Sequence, residues 1–480
     1  MKKLCFLFFI TFISYATKAQ QAVDKQAALP LANGFQNLFK TTEQVETKFF
    51  PSDKKWVSRE TFLLENLKDF EPSKPNFTED KFGGIISDSK IKATGFFYTK
   101  KIGDRWWIID PEGNKWYSKG LVAVTPNNSD RGKKVLRDSF QNINNWGLKT
   151  STYIKSLGFN SAGAWSKIQE TNLPVGNKLP YSLVLDIMSA FGHDKKVAYQ
   201  GVGHTSFNEG VMPVFDPDFE SFSIAYVAEK VEKYKKDSWL VGYFSDNELN
   251  FAGDALNRFL KLPEENPNYQ EVKKWATENQ IDISNISKAN QDLFLAHYVD
   301  EYYRVVAKAI KTADPNHLFL SSRLHGGDKN RAIVFKAAGK YSDIISFNYY
   351  KSWYPEKDIT EMWVQQANKP FMITEWYAKG MDSGMPNETG WGWTVKTQED
   401  RGKYYQNFAL ALLANKNCVG WQWFKYLDND PTGIADASNK DANKGIVTWD
   451  YKIYSSMTGY IKALNDKVYS LVNYFDSHLK

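Results

Sequence analysis

Two glutamates, Glu248 and Glu375, stand where carboxylates can do acid–base chemistry. Glu248 closes the stretch "GYFSDNE", and Glu375 closes "PFMITE". Each follows an apolar run predicted to be a buried strand, where a carboxylate is costly unless it is paired or chemically active. For one such glutamate, an ion pair or a helix cap is the better interpretation. Two at matching strand ends favour chemistry.

A facing pair of carboxylates is the minimum equipment for cleaving a glycosidic bond. One protonates the leaving oxygen, and the other attacks the anomeric carbon or activates a water molecule. Their pKa values must differ, and burial, neighbouring anions and hydrogen bonds can separate them. Asp246, two residues before Glu248, is interpreted either as an anionic neighbour of the acid or as a cap for the following helix.

The elements that must position these residues alternate short apolar runs with amphipathic stretches. Alternation of this kind is typical of βα units around a parallel sheet, and eight strands close a barrel. The predicted fold is therefore α/β, a (β/α)8 TIM barrel with a short N-terminal extension. The predicted strands are 116–125, 158–165, 181–188, 239–246, 317–324, 343–350, 370–377 and 418–426.

Helical stripes and loop lengths show which face of this barrel is elaborated. Apolar stripes predict helices over 219–234, 294–310 and 404–412. Only brief polar turns precede the next strands, whereas the segments that follow strands are long. The long segments, 189–218, 249–289 and 378–397, would lie at the carboxyl ends of the strands, where barrel active sites are built.

Three regions are predicted along the chain. Residues 1–19 carry Lys2 and Lys3, an apolar run and small residues before a cut near Ala19, as secretory signal peptides do. An uncleaved membrane anchor is the alternative, but the run falls short of a full span. Residues 20–94 are assigned to an N-terminal extension and linker, and 95–480 to the catalytic barrel. The protein is expected to be secreted or periplasmic, with no membrane span after cleavage.

Composition excludes several other functions. The formal net charge of +6 includes three lysines that signal cleavage would remove, and no basic stripe is present, so a nucleic-acid partner is not expected. The six histidines show no ligand spacing and no cysteine pair remains, so neither a metal nor another cofactor is expected. Cys418, within an apolar run, is predicted to be a small buried hydrophobe and not a nucleophile.

The motifs at the strand ends resemble those of the clan A retaining glycoside hydrolases. "SDNEL" and "ITEW" match the clan's two glutamate motifs on strands four and seven. Within the clan, "FNSAGAWS", "PVFDPDFE", "SFNYY" and "VGWQWFKYLDND" resemble the β-agarases of glycoside hydrolase family 50 and their β-galactosidase-like relatives, over roughly residues 95–450. The resemblance implies cleavage of a β-linked galactan, such as agarose-like polysaccharide, by double displacement.

The resemblance also implies roles for single residues. Glu248 becomes the acid/base and Glu375 the nucleophile. Asn247 would hydrogen-bond the sugar 2-hydroxyl, a contact that strengthens in the transition state. Tyr350, with Tyr349 as the weaker alternative, would donate to Glu375 and keep it ionised.

Several tryptophans are expected to contact the carbohydrate. The resemblance places Trp423 at the −1 sugar position and matches Trp165 to a strand-two aromatic, while Trp376 directly follows the nucleophile. In the glycine-rich loop "NETGWGWTVK", Trp391 and Trp393 offer flat apolar faces to sugar rings.

Departures from the family pattern leave the exact sugar open. Trp376 and Tyr377 stand where family 50 tends to have Phe-His, and Gln422 stands where a histidine is common. Another clan A activity on a β-glycan or β-galactoside is therefore retained as an alternative, namely a β-galactosidase, mannanase or glucanase. A non-catalytic sugar-binding barrel is the alternative from another class. Whether cleavage is endo or exo is also open.

Overall fold

The computed structural model describes most of the chain after the predicted signal peptide. Residues 1–19 lie outside the described residues, as does part of the predicted linker. None of the described helices has the length and apolar character that a membrane crossing needs. The described ranges are 34–50, 52–71, 77–86, 91–201, 203–433 and 439–479.

Strands and helices alternate along most of the described chain. The strands are β1 (Glu43–Lys48), β2 (Val57–Thr61), β3 (Tyr98–Ile102), β4 (Arg105–Ile109), β5 (Lys115–Trp116), β6 (Ser118–Leu121), β7 (Ser161–Ala162), β8 (Tyr181–Val184), β9 (Ala198–Gln200), β10 (Thr205–Phe207), β11 (Leu240–Phe244), β12 (Leu318–Phe319), β13 (Leu324–His325), β14 (Ile345–Asn348), β15 (Phe371–Glu375), β16 (Ala378–Gly380), β17 (Trp393–Val395) and β18 (Cys418–Trp423). The helices are α1 (Asp130–Phe140), α2 (Ile143–Ser156), α3 (Ile187–Asp194), α4 (Phe219–Val231), α5 (Ala255–Phe259), α6 (Pro267–Glu278), α7 (Lys288–Ala313), α8 (Ala332–Tyr341), α9 (Lys357–Ala367), α10 (Gln398–Ala414), α11 (Ser455–Asn465) and α12 (Val468–His478).

A nine-stranded sheet lies at the centre, in the order β12-β11-β8-β7-β6-β18-β15-β14-β13. Its neighbouring strands pair in parallel. Every predicted strand run contains at least one strand of this sheet, so the α/β class with a parallel sheet is confirmed. The strands are shorter than predicted, and they bury polar residues such as Ser118, Ser346 and Gln422 together with apolar ones.

Both edges of the sheet come from one stretch of chain, residues 318–325. On one side the Leu320 amide donates to the Tyr243 carbonyl at 2.8 Å, and on the other the Arg323 amide donates to Ser346 Oγ at 3.0 Å. Ser321 and Arg323 have positive φ angles of 66° and 46°, which interrupt the strand between its two halves. The sheet is therefore curled, and this stretch touches both of its edges.

The three predicted helices are present as α4, α7 and α10, and the last two begin with capping boxes. Capping boxes begin α7 at Ser287 with Asn290 and α10 at Thr397 with Asp400. Cys418, which begins β18, is fully buried, and burial raises its thiol pKa to about 11. The prediction that Cys418 is buried is confirmed.

In the described part of the N-terminal extension, β1 pairs with a strand of the loop that follows β15, and Phe35 packs against α12. β1 pairs with β2 and also with β17, where Thr47 lies opposite Val395. The Phe35 ring lies 5.3 Å from Phe62 and 5.8 Å from Phe475. A hairpin turn at residues 110–114 joins β4 to β5. The boundary between residues 94 and 95 stays a prediction.

Candidate active site

A cavity of about 1550 Å³ opens at the carboxyl ends of the central strands. The chain turns sharply where it leaves several of these strands, with positive φ angles at residues that carry side chains. Such strained positions cluster at functional sites, because the surrounding structure must hold them. Those that line the cavity are Ala123 (51°), Trp165 (56°), Asp186 (55°), Glu248 (56°) and Lys351 (67°).

Glu248 and Glu375 both line this cavity. Asn348 Nδ2 donates to Glu248 Oε1 at 2.9 Å and contacts Asn247 Oδ1 at 3.3 Å. Arg323 donates from Nη1 to the same Asn247 oxygen and from Nη2 to Glu375 Oε1, both at 2.7 Å. A continuous chain of hydrogen bonds thus joins the two glutamates that the sequence predicted would converge.

Arg323 belongs to the candidate site, although the sequence did not predict it there. Its side chain is fully buried, and its guanidinium carbon lies 4.4 Å from the Trp165 ring centroid and 5.5 Å from that of Phe244. Nη2 also donates to the Thr374 carbonyl at 2.9 Å. The available signal was an arginine inside the apolar run "HLFLSSRL", since a buried cation needs a partner.

Opposing effects of burial and neighbouring groups set the pKa of Glu375. Burial raises its pKa to about 7, with the charge of Glu248 adding to the rise, while Arg323 and the Tyr350 hydroxyl oppose it. The Tyr350 hydroxyl donates to Glu375 Oε2 at 2.6 Å. Tyr349, the weaker candidate, donates instead to Glu356. The hydrogen bond expected of Tyr350 is therefore present.

Asp246 acts as a helix cap, although not for the helix that follows it. Its Oδ1 accepts from the backbone amides of Met188 at 2.8 Å and Ser189 at 3.3 Å, in the first turn of α3. Its Oδ2 accepts from the Tyr302 hydroxyl at 2.6 Å. The carboxyl is fully buried, and burial raises its pKa well above the usual range. Asp246 thus fixes α3 against the strand that leads to Glu248.

Two neighbouring histidines line the cavity near Glu248, although neither was predicted as a site residue. His204 Nδ1 lies 3.7 Å from Glu248 Oε2, and the His204 and His325 rings are 5.4 Å apart. Burial lowers the pKa of His325 to about 4, and the charge of His204 adds to the fall. Within the described ranges, no three His, Cys, Asp or Glu side chains are grouped as metal ligands would be.

Two of the predicted sugar-contacting tryptophans line the cavity. Trp165 is 39% exposed and Trp391 is 50% exposed, so each offers ring surface to a ligand. Lys351 Nζ lies 4.3 Å from the Trp391 ring centroid. Tyr377, at one of the departures from the family pattern, also lines the cavity, whereas Gln422 is buried.

The structure corrects the prediction for Trp376, Trp393 and Trp423, which are buried and absent from the cavity wall. The Trp423 ring lies 5.0 Å from Trp376, and both pack toward α10, on the outer side of the sheet. Trp393 packs under the N-terminal strands, with the Arg59 guanidinium carbon 4.4 Å from its ring centroid. Phe424 lines the cavity where Trp423 was expected.

Known structures share this architecture. No protein-family profile matches the chain. The crystal structure of BpGH50 is 31% identical, with a TM-score of 0.79, and the alignment covers 91% of this chain and 96% of that one. The agarase AgWH50C is 22% identical, with a TM-score of 0.68 over 82% of this chain and 66% of that one, a likeness of fold.

Two curated proteins of Vibrio sp. (strain JT0107) are similar in sequence. Beta-agarase B is 24% identical, and the alignment covers 81% of this chain and 50% of the relative. Beta-agarase A is 27% identical over 68% of this chain and 36% of the relative. The chain therefore spans half the length of one curated relative and about a third of the other.

Proposed function

The chain belongs to glycoside hydrolase family 50, and from that membership we propose that it is a secreted, retaining glycoside hydrolase that cleaves a β-linked galactan of the agarose type. The observation that carries the proposal is the convergence of Glu248 and Glu375 on one cavity, joined by hydrogen bonds through Asn348, Asn247 and Arg323. The agarase activity of the two Vibrio relatives supports the choice of substrate.

In the proposed reaction, Glu375 is the nucleophile and Glu248 the acid/base. The Glu375 carboxylate bonds to the anomeric carbon while Glu248 gives its proton to the departing glycosidic oxygen. Glu248, now ionised, then takes a proton from the water that displaces Glu375 from the sugar. Formation of the covalent intermediate removes the charge of Glu375, which favours the ionised Glu248 that the second step needs.

Asn247 and Tyr350 assist this cycle through hydrogen bonds. Arg323 and Asn348 both donate to Asn247 Oδ1, so the Nδ2 group of Asn247 is the donor left for the sugar 2-hydroxyl. Tyr350 donates to Glu375 and favours its ionised form. Trp165 and Trp391 supply apolar faces for sugar rings.

The proposal includes the architecture and the location. We take the curled sheet as a (β/α)8 barrel whose fifth strand is interrupted between β12 and β13, because residues 318–325 contact both sheet edges. Residues 1–19 have the composition of a cleaved signal peptide, which supports export.

A substrate screen tests the proposed activity. We expect reducing sugar to be released from agarose and not from mannan or β-glucan, and product sizes to distinguish endo from exo cleavage. Release from another β-glycan or from a simple β-galactoside alone would reassign the substrate. Oligosaccharide binding without cleavage of any of them would mean a non-catalytic barrel.

Product stereochemistry tests the double displacement. Proton NMR during the first turnovers should show the anomeric configuration of the substrate kept in the product, since two inversions restore it. An inverted first product would instead mean that a water molecule attacks directly, and Glu375 would then be a general base.

A further inference from the structure

Asp186 is a carboxylate of the cavity wall that has no role in the proposed reaction. It follows β8 at a left-handed position, with φ of 55°, and precedes α3 without capping it. Its backbone neighbours are held to the Glu248 strand: the Leu185 amide donates to the Phe244 carbonyl at 2.9 Å, and the Ile187 amide to the Ser245 carbonyl at 3.1 Å. These bonds hold Asp186 beside the carboxyl end of β11, the strand that leads to Glu248.

Two aspartates near this point are satisfied very differently. Asp246 accepts three hydrogen bonds from protein donors. In the described part of the chain, the Asp186 carboxylate accepts no hydrogen bond from a protein donor. Burial raises the pKa of Asp186, while Arg323 and Lys230 favour the ionised form only through their charges. A partly buried carboxylate left without donors is costly, and a strained backbone that holds it points to a ligand.

We propose that Asp186 accepts hydrogen bonds from the hydroxyls of the sugar that lies beside Glu248 and selects a neutral sugar over an anionic one at that position. The inference rests on the proposed function, because it assigns a specificity residue to the same cavity. The exposed face of Trp165, which follows the neighbouring strand β7, offers the apolar surface for the ring, and Asp186 accepts from the hydroxyl edge. A sulfate or carboxylate substituent there would meet the negative charge of Asp186.

Binding by Asp186 variants tests the inference without depending on turnover. Titration calorimetry is carried out in a Glu375→Gln background with a neutral agarose hexasaccharide and with a sulfated porphyran hexasaccharide. Asp186→Asn should weaken binding of the neutral sugar about 10- to 100-fold, the loss expected of hydrogen bonds to a charged acceptor. Asp186→Asn should also reduce the preference for the neutral hexasaccharide over the sulfated one. Asp186→Glu, which keeps the charge, should keep that preference and serves as the second variant.

Asp218→Asn is the matched control. Asp218 precedes α4 as Asp186 precedes α3, also without a side-chain cap, but it is exposed and lies outside the cavity wall. Its variant should bind both hexasaccharides like the parent. Binding of the neutral sugar within twofold of the parent by a folded Asp186→Asn would overturn the inference. If the Glu375→Gln protein binds neither hexasaccharide, the inference fails. If the Glu375→Gln protein binds them but the wild-type protein cleaves neither agarose nor any other glycan, only the proposed activity fails.

Discussion

The buried Arg323 and the cavity-lining Glu375 form an ion pair, with Nη2 and Oε1 2.7 Å apart. The arginine is fully buried and the glutamate side chain is 6% exposed. Breaking such a pair leaves an uncompensated charge in a low-dielectric surrounding, which is far more costly than the net contribution of the intact pair. The same guanidinium also orients Asn247. Arg323 therefore contributes both to the stability of the fold and to the position of a side chain in the site.

Replacement of Arg323 by Met is therefore expected to reduce both stability and activity. The free energy of unfolding should fall by about 3–5 kcal/mol, because Glu375 either stays ionised without its partner or takes up a proton as its pKa rises further. Chemical denaturation measures that change, and kcat/KM of the folded fraction measures the loss of activity. Arg105→Met is the control, because Arg105 pairs with Asp476 at 2.8 Å, away from the cavity. It should lower stability and leave kcat/KM of the folded protein unchanged.

The pKa of Glu375 predicts how activity depends on pH. Burial raises it to about 7, so at lower pH the carboxyl is protonated and cannot attack the anomeric carbon. Activity should therefore be lost as pH falls through about 7, as an acid limb in kcat/KM. An acid limb near the ordinary pKa of a glutamate would contradict this assignment.

A tyrosine pair tests which groups set that acid limb. Tyr350→Phe removes a donor to the ionised carboxylate, so the limb should move upward by about one pH unit, since one pKa unit is about 1.4 kcal/mol. Tyr349→Phe is the neighbouring control, because Tyr349 donates to Glu356 instead. A limb that moves with Tyr349 and not with Tyr350 would reverse the assignment.

Sequence patterns predicted the strands well but not all of their ends. The run 181–188 was predicted as one strand, yet Ile187 and Met188 begin α3. A short apolar run does not distinguish a strand from the first turn of a buried helix. The left-handed conformation of Asp186 makes the break, and nothing in its residue type requires that conformation.

The site was predictable where one residue carries the chemistry and not where a network does. Glu248 and Glu375 are recognisable because each ends an apolar run. Arg323 and Asn348 acquire their roles only when β11, β13, β14 and β15 meet. The direction of each aromatic side chain was also not predictable. The sequence of a Trp-rich loop, or of the residue after a strand, does not indicate whether the ring faces the cavity or packs against a helix.

Azide rescue distinguishes the roles of the two glutamates. Glu375→Ala should lose about 10⁴-fold or more of its turnover, because the nucleophile is gone. Azide can then occupy the vacated space and attack an activated aryl galactoside, which gives a glycosyl azide of inverted configuration. Glu248→Ala should still form the covalent intermediate from that substrate, so azide should give a product of retained configuration. The opposite pairing of variants and products would exchange the two roles.

Trp391 and Trp393 are two residues apart and are expected to respond differently to truncation. Trp391 is half exposed on the cavity wall, so Trp391→Ala should raise KM for a long agarose oligosaccharide about tenfold, as the loss of a sugar-stacking surface would. Unfolding free energy should change by less than about 0.5 kcal/mol. Trp393 is buried against Phe49 and Arg59, so Trp393→Ala should cost about 3–5 kcal/mol of stability. Its KM, measured on the folded protein well below the melting temperature, should stay near the wild-type value. An unchanged KM in Trp391→Ala would mean that the carbohydrate does not reach that loop.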